Sequence, residues 1–172
     1  MWDALKTSCL VGAVIMLGAV GSVHAQADAD WDRYKATTMR ELRAESSLAI
    51  SDIDAKAPPS RKKTFYVSFK ERPSKVLLKF SGHFRPIDSD RMIVIRNRLN
   101  LASAKGRSPY NLEAAFKEGN TTYWIPIQDV LLDDLRQIRP GTVLLCFVKP
   151  IAAIRRAGVL EWVVPMMAFA EL

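Results

Sequence analysis

Two stretches in the middle of the chain alternate apolar and polar residues with a period of two, and this pattern constrains the fold most strongly. In residues 64–70 and 76–85 the apolar positions are Phe65, Val67, Phe69, Val76, Leu78, Phe80 and Phe84. The alternating positions are Tyr66, Ser68, Lys70, Leu77, Lys79, Ser81, His83 and Arg85. Because successive side chains of a strand point to opposite faces, the pattern predicts two half-buried antiparallel strands with one face in a core.

Three further segments carry helical signals. Thr38-Met39-Arg40-Glu41 fits a capping box, and the apolar residues that follow at helical spacing are Met39, Leu42, Ala49, Ile50 and Ile53. Residues 88–101 are compatible with a strand or with a helix capped near Asp88 or Ser89, and we favour the helix. Asp129 is expected to cap a third helix that ends at Pro140-Gly141 and turns inward Leu131, Leu132, Leu135 and Ile138.

More strands are expected in the second half of the chain. Gly119-Asn120, between residues 112–117 and 121–127, favours a tight β-hairpin. Residues 142–148 form an apolar run that is typical of a strand buried on both faces. A loop is expected around Arg155-Arg156-Ala157-Gly158, followed by one last strand within residues 160–172.

Several short strands, hairpin connections and one inserted helix predict an α+β fold. Its main part is expected to be a small, partly open, mainly antiparallel β-barrel of the OB or SH3-like kind. A flat α+β sheet with helices on one face is the alternative. Residues 26–60, which hold the N-terminal helix and the linker Ala57-Pro58-Pro59-Ser60, are expected to precede the barrel domain at 61–172.

Residues 1–25 predict an export signal. Lys6 precedes an apolar run of about 15 residues from Cys9 to Val23, and Val23-His24-Ala25 offers a signal-peptidase site before Gln26. The run is shorter than the roughly 20 residues that span a bilayer core, which favours a cleaved signal over an uncleaved anchor. We therefore expect a periplasmic or secreted protein with no transmembrane span after cleavage.

Residues 61–107 carry most of the positive charge. They hold 13 Lys and Arg and three carboxylates, a net charge of +10, in a chain whose total is +7. If the apolar faces of the two alternating strands turn inward, their other faces are expected to form one basic surface of Tyr66, Ser68, Lys70, Lys79, Ser81, His83 and Arg85. Hydroxyls, cations and an aromatic ring together suit an anionic or sugar-like ligand. A solvated face that only keeps the protein soluble is the alternative.

Signals for catalysis or metal binding are weak. Cys146 lies in the strand with two apolar faces, where a thiol stays protonated, and is expected to be structural. After the predicted cleavage, His83 and Cys146 are the single histidine and cysteine, too few for a zinc site, so no metal or other cofactor is expected. Glu113 and Glu118 flank the hairpin turn and are expected to be solvated. The side chains of Asp133 and Asp134, which are adjacent on the predicted helix, point about 100° apart, and this excludes a shared acid–base site.

The sequence therefore predicts a non-enzymatic envelope protein that binds an anionic partner through the basic surface. The expected partners are an anionic envelope polymer, a lipid head group or an acidic protein, and export disfavours nucleic acid. One alternative is a small periplasmic hydrolase with His83 as general base and Ser81 or Ser68 as nucleophile. Another is a structural subunit that docks on a second protein through residues 26–60.

Overall fold

The computed structural model of the protein describes residues 23–25, 31–45, 65–68, 72–101, 108–156 and 159–172. Within these ranges the fold is mixed α+β, with about 50% strand and three helices. Several predictions fall outside the described residues: most of the export signal, the end of the N-terminal helix with Ala49, Ile50 and Ile53, and the linker at 57–60. No helix in the described ranges is both long enough and apolar enough to cross a bilayer.

Seven strands form the larger sheet. They are β1 (Val23–Ala25), β2 (Lys35–Ala36), β4 (Ser74–Pro86), β5 (Tyr110–Glu118), β6 (Thr121–Gln128), β7 (Val143–Val148) and β10 (Met166–Glu171). β4 pairs with β5 and β7, β5 pairs with β6, and β10 pairs with β7. A short parallel contact between Met166 of β10 and Ile127 of β6 completes the circuit. The predicted α+β class with mainly antiparallel strands is confirmed, and the sheet closes partly into a ring.

A smaller sheet contains three strands in the order β3 (Phe65–Ser68), β8 (Ala152–Arg156) and β9 (Val159–Val163). β3 pairs with β8, in a register that runs from Phe65–Arg155 to Ser68–Ala152, and β4 belongs to the other sheet. The described part of each alternating stretch is therefore a strand, as predicted. Their separation into two sheets corrects the expectation that they share one basic surface, because alternation fixes the buried face of a strand and not its neighbour.

Two expectations for the C-terminal part are wrong. Arg155 and Arg156 belong to β8 rather than to a loop, because residues 151–154 are buried and Arg156 is paired with carboxylates. The expected last strand is two strands, β9 and β10, with Val164 and Pro165 between them. Proline has no N–H to continue a ladder, which accounts for the interruption. Ala157 and Gly158 lie outside the described residues.

The first two helices agree with the sequence. The described part of α1 covers residues 39–45, and α2 is Ser89–Arg98. The capping box is confirmed, since Glu41 N donates to Thr38 Oγ1 at 3.1 Å and Thr38 N donates to the Glu41 carboxylate at 2.9 Å. α2 is a helix rather than a strand, and its N-cap Asp88 accepts a hydrogen bond from Arg91 N at 3.0 Å.

The third helix, α3 (Asp129–Gln137), begins one residue earlier than expected. Gln128 occupies the N-cap and makes no side-chain cap bond, so the prediction that Asp129 caps α3 is wrong. Asp129 Oδ2 instead accepts a hydrogen bond from Asn111 Nδ2 at 2.6 Å. The inward face is as predicted, with Leu131, Leu132, Leu135 and Ile138 all buried.

The main core fills the interior of the ring and lies under α3. It also includes Met39 and Leu42, so the described part of the N-terminal segment packs on the body of the protein. Trp31 lies against Phe147 of β7, with ring centroids 4.6 Å apart. A second core is formed by α2, the smaller sheet and its flanks, through Val94, Ile95, Tyr110, Ile151, Ala152, Ile154 and Val163.

β1 lies at the edge of the larger sheet. It pairs antiparallel with β10, from Val23–Ala170 to Ala25–Ala168. These three residues are the ones expected to form the signal-peptidase site. Cleavage after Ala25 stays a prediction.

Candidate functional site

A cleft of about 500 Å³ lies where α1, β4, β6, the start of α2 and the strands β8 and β9 come together. Its charged lining residues are Arg43, Arg85, Arg91, Arg156, Asp88 and Glu161, and its aromatic lining residues are Tyr123, Trp124 and Trp162. Both sheets and the N-terminal helix thus contribute to one site. We call this site the arginine cleft.

Arg85 is held on two sides. Its guanidinium carbon lies 4.2 Å from the centroid of the Trp124 ring, within the range of a cation–π contact. Its Nε donates a 2.7 Å hydrogen bond to Glu113 Oε2, the residue opposite it on β5. The side chain is 43% exposed, and its two terminal nitrogens form no hydrogen bond with any residue in the described ranges. Arg85 therefore presents a positioned guanidinium to the cleft.

Glu113 anchors this arrangement from within the protein. Its side chain is 1% exposed, which corrects the expectation that it is solvated. Glu113 accepts hydrogen bonds from Arg85 and from Arg91 of α2. The Arg91 side chain is 6% exposed and also donates to the Trp162 carbonyl at 3.2 Å. A buried carboxylate with two cationic partners is consistent with the rule that buried charges are paired.

Glu118 is not simply solvated either. Its carboxylate accepts hydrogen bonds from the backbone amides of Met39 at 2.7 Å and Arg40 at 3.1 Å. These amides belong to the first turn of α1, where a helix has unsatisfied donors and favours negative charge. Glu118 therefore fixes α1 to the β5–β6 hairpin and so positions Arg43, which lies over Tyr123 at 6.0 Å from its ring centroid.

Arg156 of β8 is bonded to carboxylates of the cleft rim. It donates to Asp88, and it lies 3.0 Å from Asp90 and 3.8 Å from Glu161. Burial raises the pKa of Asp88. Hydrogen bonds from Arg156 and from the Arg91 amide, together with the positive charges of the Arg156 and Arg91 guanidinium groups, outweigh the effect of burial and lower the pKa overall. The hydrogen bond to Asp88 chiefly raises the pKa of Arg156. The cleft therefore keeps both of these groups ionised at neutral pH.

A second depression of about 410 Å³ adjoins the arginine cleft and shares Thr122 and Trp124 with it. Its polar lining residues from β4 and β5 are Lys79, Ser81, His83 and Lys117. Pro140 and Gly141, which follow α3, close one side. We call it the lysine depression.

Six of the seven residues of the predicted basic surface lie in three different places, and the seventh, Lys70, is outside the described residues. Lys79, Ser81 and His83 line the lysine depression, and Arg85 lines the adjoining arginine cleft. Tyr66 and Ser68 lie on β3 in the smaller sheet, and their side chains, like the whole of Lys70, are outside the described residues. Four of the predicted residues are thus brought together along β4.

Sequence reasoning missed the residues that complete the site, namely Arg43, Arg91, Lys117, Trp124, Arg156 and Trp162. Trp124 could have been identified from the sequence. It alternates with Ile125 and Ile127, which lie in the core, so its side chain must point to the opposite face of β6. The arginines come from α1, α2 and β8, and no local pattern brings these segments together.

Among the described residues, two of the side chains considered for catalysis, Cys146 and Ser81, lack a partner that could activate them, and the side chain of Ser68 lies outside the described ranges. Cys146 is fully buried, burial raises the pKa of its thiol well above the usual range, and Sγ has one hydrogen-bond partner among the described residues, the Leu144 carbonyl at 3.8 Å. Ser81 Oγ is shielded from solvent without a hydrogen-bond partner in the described ranges, so it is not bonded to His83. In the described parts of the chain, no group of three or more His, Cys, Asp and Glu side chains could hold a metal ion.

A scan against models of known protein families, a search of curated proteins and a search of solved structures found no match to this chain. The functional argument therefore rests on the geometry of the cleft and of the depression beside it.

Proposed function

We propose that this protein binds an anionic ligand in the arginine cleft, outside the cytoplasm and without catalysing a reaction. Arg85 carries the proposal. Trp124 and Glu113 hold its guanidinium in place, while its terminal nitrogens have no hydrogen-bond partner in the described ranges. A planar guanidinium that is already oriented can bind a carboxylate or phosphate through two parallel hydrogen bonds with little further loss of entropy.

The surroundings of Arg85 support a binding site rather than a solvated face. The cleft is concave and combines aromatic rings with charged groups, as ligand sites generally do. Water is partly excluded from a concave site, so the attraction between a cation and an anionic ligand is screened less than on a flat surface. An anionic envelope polymer, a lipid head group and an acidic protein all offer the carboxylate or phosphate that such a site requires.

For the fold, we propose that the partly closed ring is a small open barrel of the OB or SH3-like kind. The support is the circuit of five strands, in which β7 joins β4 to β10 and β10 reaches β6. Amide hydrogen exchange can test this. A barrel requires protected amides where β6 meets β10, and rapid exchange at Ile127 and Met166 would favour the flat alternative.

The binding proposal is tested with the purified full-length protein and two probes, immobilised polygalacturonate and vesicles that contain phosphatidylglycerol. We expect binding to at least one of them, and Arg85→Gln should weaken that binding at least tenfold, because a hydrogen bond to a charged group contributes about 1.5–3 kcal/mol. Glutamine can still donate to Glu113, so the fold is expected to persist.

Arg136→Gln is the matched control. Arg136 is also a surface arginine with a single carboxylate partner, Asp133, but it lies on α3 and does not line the cleft. The control should leave binding within twofold of the unsubstituted protein. The proposal is wrong if the protein binds neither probe better than neutral dextran or phosphatidylcholine vesicles, or if both variants bind equally.

A further inference from the structure

Lys79 and Lys117 form an unusual pair of like charges. They lie directly opposite each other on the adjacent antiparallel strands β4 and β5, and both are exposed. Neither forms an ion pair or a hydrogen bond with any residue in the described ranges. Like charges directly opposite on a sheet are destabilising, so the pair has an electrostatic cost that an anion between them would offset.

The groups around the two lysines can bind more than a bare charge. Ser81, His83 and Thr122 line the same lysine depression. The Ser81 hydroxyl has no hydrogen-bond partner within the described ranges but is shielded from solvent, so Thr122 and His83, which are exposed, are the groups that a ligand can reach. A hydroxyl and an imidazole beside two ammonium groups offer donors and acceptors for a polyhydroxylated anion.

The spacing between the two sites follows from the strand register. Lys79 lies opposite Lys117, and Arg85 lies opposite Glu113, which precedes Lys117 by four residues on β5. At about 3.3 Å per residue, the lysine pair and the Arg85–Glu113 pair are about 13 Å apart. Trp124 pairs with Ala115, midway between the two pairs, and lines both the cleft and the depression. A ligand that reaches both Arg85 and the lysine pair must therefore pass Trp124.

We infer that the arginine cleft and the lysine depression bind one acidic oligosaccharide, with Lys79 and Lys117 as its second anion site. This inference rests on the proposed function of the cleft and names the ligand class. The apolar face of a sugar ring can pack on the part of Trp124 that Arg85 does not cover and that lines the lysine depression. The hydroxyls of the sugar can donate to Asp88 and Glu161, which keep free lone pairs beside their arginine partners. Acidic sugars then meet the cations at either end.

Single-stranded nucleic acid fits the same surface less well. It carries a negative phosphate at every nucleotide, and a DNA strand has no free sugar hydroxyls between its phosphates that could donate to Asp88 and Glu161, which repel the phosphates. A chain of sugar units carries one carboxylate per unit or fewer and has hydroxyls between them. The mixture of carboxylates and cations along the groove therefore favours a saccharide.

The test is titration of the full-length protein with oligogalacturonates from monomer to hexamer, followed by calorimetry. The hexamer should bind at least tenfold more tightly than the monomer, because engaging a second site on the same chain raises the effective concentration. Lys117→Gln should remove this gain, so that the hexamer and the monomer bind this variant with affinities within about twofold of each other. Lys149→Gln, which changes a lysine that lines neither depression, should leave the gain intact.

The remaining outcomes separate this inference from the proposed function. If Arg85→Gln weakens both monomer and hexamer but Lys117→Gln changes neither, the cleft binds anions and the second site is wrong. If a neutral hexasaccharide binds as tightly as the hexagalacturonate, the anion sites are wrong. If an oligothymidylate of similar length binds more tightly than the hexagalacturonate, the ligand is a nucleic acid and the saccharide assignment is overturned.

Discussion

Glu113 is the residue on which the geometry of the arginine cleft depends. Its buried carboxylate bonds to Arg91 of α2 and to Arg85 of β4, so it links the helix that covers the second core to the strand that carries the site. Removing a carboxylate from water is costly, and nearby cations offset that cost. Because Arg85 is bonded through Nε, its other nitrogens remain available to a ligand.

Replacing this carboxylate should destabilise the fold. We expect Glu113→Gln to lower the free energy of unfolding by about 3 kcal/mol, the lower end of the cost of breaking a buried ion pair, because the buried Arg91 guanidinium loses its hydrogen-bonded carboxylate and keeps only Glu161 at 3.5 Å and Asp88 at 3.8 Å. Urea denaturation followed by tryptophan fluorescence measures the change. Asp133→Asn, which breaks the exposed pair with Arg136, should cost less than about 1 kcal/mol. A loss from Glu113→Gln no larger than this control's would contradict the role of the buried pair.

At the scale of elements, β4 determines how the site is presented. Its register with β5 shifts between Phe80 and Phe84, which lie opposite Phe116 and Ala114, so β4 is bulged by two residues. Gly82 lies in this bulge with a φ of 77°, and a Cβ at its position would lie 2.6 Å from Pro140 Cγ. A bulge bends a strand and re-aims its side chains. Here it allows Ser81 and His83 to line the lysine depression.

The bulge can be tested with two glycine variants. Gly82→Ala should lower the free energy of unfolding by about 1–2 kcal/mol because the backbone at this position is left-handed. Crowding of the added methyl group against Pro140 should lower it by about 1–3 kcal/mol more. Gly119→Ala is the matched control, because Gly119 also has a left-handed φ, 57°, but nothing lies within 4 Å of the added Cβ. It should show only the loss of stability that comes from the left-handed backbone. Chemical denaturation compares them. Equal losses would mean that the Pro140 ring moves aside and does not define the bulge.

β4 also marks how far the sequence can predict this structure. Alternation at 76–80 predicted its buried face correctly, because the period of a strand is a local property. Its four site residues could be grouped for the same reason. The strand pairing could not be predicted, since the paired residues of β4 and β7 are 64 to 74 positions apart and those of β3 and β8 are more than 80 apart. Arg43 and Arg156 reach the cleft only through such long-range contacts.

The prediction of a loop at Arg155 and Arg156 was wrong because it was based on the charge of these two residues. A pair of arginines followed by alanine and glycine is typical of a turn, and the sequence does not show the partners that compensate them. In the structure Arg156 bonds to Asp88 and lies near Asp90, the first residues of the α2 region. A charged residue can lie in a strand when distant carboxylates are folded against it.

At the scale of the whole molecule, the described part of the N-terminal segment, residues 31–45, belongs to the folded body. Met39 and Leu42 are buried in the main core, β2 pairs with β4, and Glu118 binds the first turn of α1. The alternative in which residues 26–60 serve as a separable docking arm requires a segment that can be removed without unfolding the rest. The described part of this segment instead supplies side chains to the core and Arg43 to the cleft.

Met39→Ala tests this integration. Met39 is 1% exposed, so truncating it should lower the free energy of unfolding by about 2–5 kcal/mol. Its neighbour Arg40 is exposed, and Arg40→Ala should change stability by less than about 0.5 kcal/mol. We expect one unfolding transition, seen alike by far-ultraviolet circular dichroism and tryptophan fluorescence, because α1 and the ring share a core. A separate early transition, or a loss below about 1 kcal/mol on Met39→Ala, would instead favour the detachable arm.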